Sequence, residues 1–264
     1  MTKKEYYQHE LGLSGDWPAY LLEHSNLPGP RSNLELMYAF VEMGSESDFI
    51  PLLDYTADKA PKNTPAEFLA CCGTMGLGEL VANGMREYVP DLRRQASDPR
   101  WRVREAAAMG LQVIGGQDFS LLEAICREWT GSSPPELWTD NSLRETRPGS
   151  DLLEMRAVAA GLCEPPLLAD PAHAEFALEM LDRITQHFSV VEDRGTDAFR
   201  ILCSGLSYCW SVAVAALPGK GRPAMERLAK SGDRHIRRVI RENLKKKRLI
   251  SMDPDWVKRM QSSL

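Results

Sequence analysis

The sequence predicts an all-α chain, a right-handed α-solenoid of about five to six helical hairpins, and three observations carry that expectation. Almost every periodic segment repeats its apolar residues at helical spacing, while strand-like alternation is scarce. A Gly-Leu pair recurs at one place in what reads as the same helix: Gly76-Leu77, Gly110-Leu111, Gly161-Leu162 and Gly205-Leu206. In the last three, Arg104, Arg156 and Arg200 stand five or six residues before the glycine, and the glycine-to-glycine steps are 34, 51 and 44 residues. A self-similar helix returning every 40 residues or so marks units that can bury their apolar faces only against their neighbours.

The elements follow in order. Residues 1–31 read as an irregular capping segment, punctuated by Trp17-Pro18, Leu27-Pro28 and Gly29-Pro30 around a short helix at Ala19–His24. The solenoid is expected over 32–264. Its first hairpin is Asn33–Met43 with Glu46–Asp58, split by Gly44-Ser45, and its second is Pro65–Asn83 with Val89–Ala96. The third opens at Asp98-Pro99, a capping residue followed by proline, runs to Ile114, and returns as Phe119–Trp129. A Pro-rich inserted loop, 131–149, lengthens the next step. Asp151–Cys163 with Pro171–Phe188 makes the fourth hairpin, and Thr196–Leu217 with Pro223–Lys230 the fifth. A last basic repeat, within 219–264, holds Asp233–Arg248 and a closing helix near Pro254–Gln261. Length alone leaves one elongated solenoid or two small domains open.

Composition bounds the function classes. Hydrophobic residues are 43% and charged residues 26%, the balance of a folded globular chain rather than a long disordered one. The N-terminus has no apolar core after its lysines, which argues against a secretory signal, and no uninterrupted apolar run approaches the roughly 18–20 residues that span a bilayer. Cys71, Cys72, Cys126, Cys163, Cys203 and Cys209 show no Cys-x-x-Cys spacing and read as buried reduced thiols, pointing to a cytoplasmic setting. Neither cysteines nor histidines fall at metal-ligand spacing, so no metal or cofactor is expected. No phosphate loop, dinucleotide fingerprint or nucleophile elbow appears, and enzymatic chemistry lacks a positive signal.

Charge is unevenly placed. The net charge of −5 divides into 14 Lys+Arg against 5 Asp+Glu over 219–264, with the preceding residues strongly acidic. From Asp233 onward, Arg234, Arg237, Arg238, Arg241, Lys245 and Arg248 fall on one helical stripe opposite Ile236, Val239, Ile240, Asn243 and Leu244. Such a stripe can follow a phosphate backbone, face an acidic protein, or simply be solvated. Trp101 among Arg100, Arg102 and Arg104 can stack a base, stack a guanidinium, or sit in the core. Trp138 and Asp140 in the inserted loop, near Arg144 and Arg147, read as a binding lip or as a packed loop.

The segments DPRWRVREAAAMGL (Asp98–Leu111), SDLLEMRAVAAGL (Ser150–Leu162), DAFRILCSGL (Asp197–Leu206) and DRHIRRVIRENL (Asp233–Leu244) resemble HEAT repeats, over about residues 32–250. The resemblance implies an armadillo-like solenoid and a ladder of aspartate and arginine along the stack, for which Asp98 with Arg104 is the best match. The basic last repeat, with its closing DPDWV, also looks like the end of the HEAT-like DNA glycosylases that excise alkylated bases. Their aspartate close after paired aromatics on one helix has no counterpart here; the nearest is Trp138 with Asp140. The expectation is therefore a scaffold binding a protein partner, with no membrane. The alternative is a DNA-binding, base-excision-like protein.

Overall fold

Most of the longer helices begin at a residue whose own side chain caps them. In the computed structural model, which describes residues 1–131 and 150–264, Asp16, Asn33, Asp118, Asp170, Thr196, Asp233 and Asp253 each accept a backbone N–H of the first turn. That satisfies donors the helix itself leaves open. Among the described residues the regular structure is helical throughout, as expected: fifteen α-helices and no strand. The described residues divide into two compact units, one formed by 1–117 and the other by 118–131 with 150–264. The division falls between two helices that the sequence joins in one hairpin.

The first unit contains α1 (Lys3–Leu13), α2 (Trp17–Glu23), α3 (Leu34–Met43), α4 (Glu46–Phe49), α5 (Pro65–Ala82), α6 (Val89–Gln95) and α7 (Trp101–Gln117). The opening residues are thus more regular than expected. Thr2 and Glu5 form a reciprocal capping box at the start of α1, the Glu5 amide donating to Thr2 Oγ1 at 3.2 Å and the Thr2 amide to Glu5 Oε2 at 2.6 Å. Only Leu11 of that helix is fully buried, too sparse an apolar pattern to reveal it. Trp17 donates to the Leu11 carbonyl at 2.8 Å and meets Phe40 edge-on, so the start of α2 ties α1 to α3 while α2 itself packs on α5.

α5 is buried almost all round and packs along α7. Their backbones meet at Gly78 and Gly110: a Cβ on Gly78 would lie 2.4 Å from Gly110 Cα and 2.5 Å from its carbonyl oxygen. The recurring motif aligns Gly76 with Gly110, but Gly76 instead faces the Phe49 ring, and Gly78 makes the close approach.

The second unit contains α8 (Phe119–Trp129), α9 (Ser150–Leu162), α10 (Pro171–Val190), α11 (Asp197–Ala216), α12 (Pro218–Ala229), α13 (Arg234–Leu244), α14 (Lys247–Met252) and α15 (Pro254–Ser262). α9, α11 and α13 lie in a row; α10 packs on α9 and α11, and α12 on α11 and α13. α11 and α13 run the same way, since Phe199 meets His235 near their starts and Leu206 and Ser211 meet Asn243 near their ends. Trp210 is fully buried and donates to Thr185 Oγ1 on α10 at 3.0 Å. Trp256, also buried, donates to Glu226 on α12 at 2.8 Å and fastens α15. In contrast to the sequence reading, α11 is long and apolar enough by composition to cross a membrane. Most of that stretch is buried within the unit.

The Gly78–Gly110 contact generates a test. Gly→Ala within a helix ordinarily gains up to about 1 kcal/mol. Gly78→Ala is expected to lose about 1–3 kcal/mol instead, because backbone must move. Gly110→Ala meets Leu92 Cδ1 at 3.0 Å and Gly78 Cα at 3.4 Å, so it is expected to be much milder. Urea denaturation of the two variants measures the order.

Candidate functional site

The candidate residues of the first unit gather where α7 begins, and most of them are structural. Arg100, Arg102 and Arg104 are all buried. Arg100 holds both carboxylate oxygens of Asp98, at 2.9 and 2.8 Å, and donates to the carbonyls of Tyr55 and Ala60. Burial works to lower the Arg100 pKa, but the Asp98 carboxylate outweighs it and keeps the guanidinium firmly charged. Arg102 pairs with the fully buried Glu67 at 3.2 Å and reaches the Gly29 carbonyl at 2.7 Å. Arg104 does not pair with the Asp98 side chain. It donates to the Asp98 and Pro99 carbonyls at 2.6 and 3.1 Å, because Arg100 already occupies the carboxylate. Trp101 remains 42% exposed, with the Arg102 guanidinium 4.5 Å over its ring, so the guanidinium stack is the contact it makes. Trp138 and Asp140, with Arg144 and Arg147, lie outside the described residues.

In the second unit α13 divides cleanly. Ile236, Val239, Ile240, Asn243 and Leu244 are buried, while Arg234, Arg237, Arg238, Arg241 and Lys245 are exposed. Asn243 is fully buried in an otherwise apolar face and works as a lock. Its Oδ1 accepts from the Ser211 amide at 2.7 Å, and its Nδ2 donates to the carbonyls of Leu206 and Val239 at 2.9 and 2.8 Å. At the other end the Asp233 carboxylate caps the helix and receives Arg194 at 2.7 Å. Burial pushes the Asp233 pKa up, but the His235 amide and Arg194 outweigh it, and the carboxyl sits below its ordinary value.

The cations differ in what holds them. Lys245 pairs with Glu242 at 2.6 Å, Arg241 reaches the Leu264 carbonyl at 3.2 Å, and Arg234 lies 3.2 Å from His235 Nε2. Arg237 and Arg238 have neither an ion pair nor a hydrogen bond among the described residues. The stripe is also shorter than the sequence suggests. α13 ends at Leu244, so Lys245 is its C-terminal cap residue and Arg248 belongs to α14. There Arg248 donates to the Tyr208 hydroxyl at 2.5 Å and stacks on its ring at 4.6 Å, with Lys246 at 5.6 Å. Tyr208, 46% exposed on α11, carries no sequence signal beyond being an aromatic in a helix.

The other layer of the unit contrasts with this. Glu175, Glu179 and Asp182 on α10 are matched across helices by Lys220, by Arg127 at 2.8 Å and by Arg227 at 2.5 Å. All six cysteines are buried and unbridged. Burial pushes the Cys71, Cys72, Cys126 and Cys163 thiols far above their ordinary range. Among the described residues no three His, Cys, Asp or Glu side chains converge as metal ligands. Compared with known protein families and with curated proteins, the chain matches none.

Two tests follow from how α13 is seated. Asn243→Leu keeps the branched shape of the side chain but leaves buried backbone groups of α11 without their partner; it is expected to cost about 1–3 kcal/mol, read by chemical denaturation. The second test is pH. Burial and Arg234 lower the His235 pKa against the opposing pull of Asp233, with Arg194 and Arg238 adding to the lowering, so folding favours neutral imidazole. Stability is then full above the unfolded value and declines as pH falls below about 6.5. The lowered Asp233 carboxyl adds a further loss below about pH 4. The thermal midpoint should fall between pH 7 and pH 5, and His235→Gln should flatten that part of the profile.

Proposed function

We propose that this chain is a HEAT-like repeat scaffold, a right-handed solenoid working in a reducing cytoplasm, that binds a protein partner through its basic C-terminal repeat. The row of α9, α11 and α13, with α10 and α12 packed behind, supports the repeat reading, since each hairpin buries its apolar face against the next. One observation carries the binding reading. The exposed side of α13 presents Arg237 and Arg238 with neither an ion pair nor a hydrogen bond among the described residues, on a helix whose seating does not use them.

Protein is favoured over nucleic acid by the rest of the chain. Residues before 219 are strongly acidic and would repel a long polyanion. Arg104, a candidate groove contact, is occupied by backbone carbonyls instead. The second reading, a DNA-binding base-excision-like protein, draws on the turn-by-turn spacing of the arginines on α13 and on the exposed ring of Trp101.

A labelled duplex separates the two. The scaffold reading expects negligible duplex affinity at physiological salt. The base-excision-like reading expects binding that falls roughly tenfold or more between about 50 and 200 mM salt, and that disappears in an Arg237→Glu/Arg241→Glu double variant. Tight, salt-sensitive binding lost in that variant overturns the protein-scaffold reading.

A further inference from the structure

Several surface cations elsewhere in the second unit are neutralised by carboxylates. Arg127, Lys220 and Arg227 each face a carboxylate on α10, Arg200 faces Asp197, and Arg222 faces Asp253. The one acid within α13, Glu242, stands one turn after Arg238 and feels its charge, but its ion pair is with Lys245 at 2.6 Å. Arg234, Arg237, Arg238 and Arg241 stand three or four residues apart along its exposed side. Like charges at that spacing repel and destabilise a helix. Nothing in the seating of α13 requires them: the Asp233 cap, the Asn243 lock and the apolar face hold the helix. A local repulsion that packing does not use is what a binding face leaves in the absence of its partner.

The patch is also bounded. Arg234 to Arg241 spans two turns, roughly 10 Å at 1.5 Å per residue. Beside it Arg200 is already satisfied by Asp197 and the Gly195 carbonyl, and beyond the end of α13 Arg248 is tied to Tyr208. Arg248 and Lys246 both stack on Tyr208, at 4.6 and 5.6 Å from its ring centre, so the ring already supports cations. A two-turn patch suits two or three carboxylates. Carboxylates one helical turn apart repeat at about 5–6 Å, the spacing of the arginines, whereas alternate residues of an extended strand repeat at about 6.6–6.8 Å and lose register. Arginine rather than lysine at every position favours planar, two-pronged pairing with carboxylate.

We infer that the exposed face of α13, with Arg237 and Arg238 at its centre, docks a short acidic helix of a partner protein whose carboxylates recur once per turn. The inference rests on the protein-binding reading and specifies its partner chemistry.

The probe is a fluorescent, alanine-rich helical peptide with glutamates at i, i+4 and i+7, beside a peptide of the same composition with its glutamates spread round the helix. Binding to the full chain is followed by anisotropy, with an unlabelled duplex as competitor. The patterned peptide should bind at least about tenfold more tightly than the dispersed one, and Arg237→Glu/Arg238→Glu should weaken it by about tenfold or more. A lysine-patterned peptide should bind the double variant and not the natural chain. Circular dichroism of the variant should be unchanged, which separates lost docking from lost folding. Equal binding of the two glutamate peptides, or none at all, overturns the inference and leaves the broader scaffold reading intact. Displacement of the peptide by duplex at lower concentration overturns both. Salt-sensitive self-association of the chain, lost in the double variant, would give the face to a second copy and likewise overturn the acidic-helix partner.

Discussion

Both units rest on how closely neighbouring helices approach. α5 and α7 touch backbone to backbone at Gly78 and Gly110, and the start of α12 presses Gly221 against α11, where an added Cβ would fall 2.7 Å from Val214 Cα. Ala106, Ala107 and Ala108 on α7, and Ala157 and Ala159 on α9, are buried as well. Small residues bring axes toward the short end of the roughly 8–10 Å range for packed helices. At that distance a polar side chain on one helix reaches the backbone of the next. Asn243 could not accept from the Ser211 amide across a wider gap.

That reach determines what the surface is free to do. In the first unit, three arginines of one short segment are turned inward to hold loop carbonyls and two carboxylates, so an apparently basic stretch presents little charge to solvent. In the second, the cap and the amide lock seat α13 from beneath, and its arginines keep their charge outward. Two stretches that look alike in composition therefore end in opposite roles, one as a clasp and the other as an open face. The difference lies in which residues are buried, since the three inward arginines sit beside Glu67 and Asp98 while neither Arg237 nor Arg238 forms an ion pair among the described residues.

The helical elements were largely legible because capping residues and apolar periodicity agree. Asp233 followed by Ile236, Val239, Ile240 and Leu244 marks α13 to within a residue at its start. The end of that helix was not legible: neither Gly nor Pro marks Leu244, and the lysines after it continue a helical pattern while Lys246 turns extended. α1 carries the Thr2–Glu5 capping box in its sequence, but with only Leu11 buried no apolar periodicity marks the helix that follows. Gly76 and Gly78 stand two residues apart, and only geometry says which of them meets Gly110. Buried arginines are the hardest case. A sequence pattern counts arginine as surface, and the carbonyls that Arg100 and Arg102 hold lie 40 to 73 residues away and have no sequence signature.

The buried thiols have a consequence of a different kind. Cys71 and Cys72 lie on α5, Cys126 on α8, Cys163 just after α9, and Cys203 and Cys209 on α11, all away from solvent. A thiol reagent can reach the fully buried ones, Cys72 and Cys126, only when the surrounding helices part. The chain thus carries its own set of clocks, distributed over both units. The rate at which each such cysteine is alkylated in the folded protein reports how often its neighbourhood opens, with no label added and no residue changed.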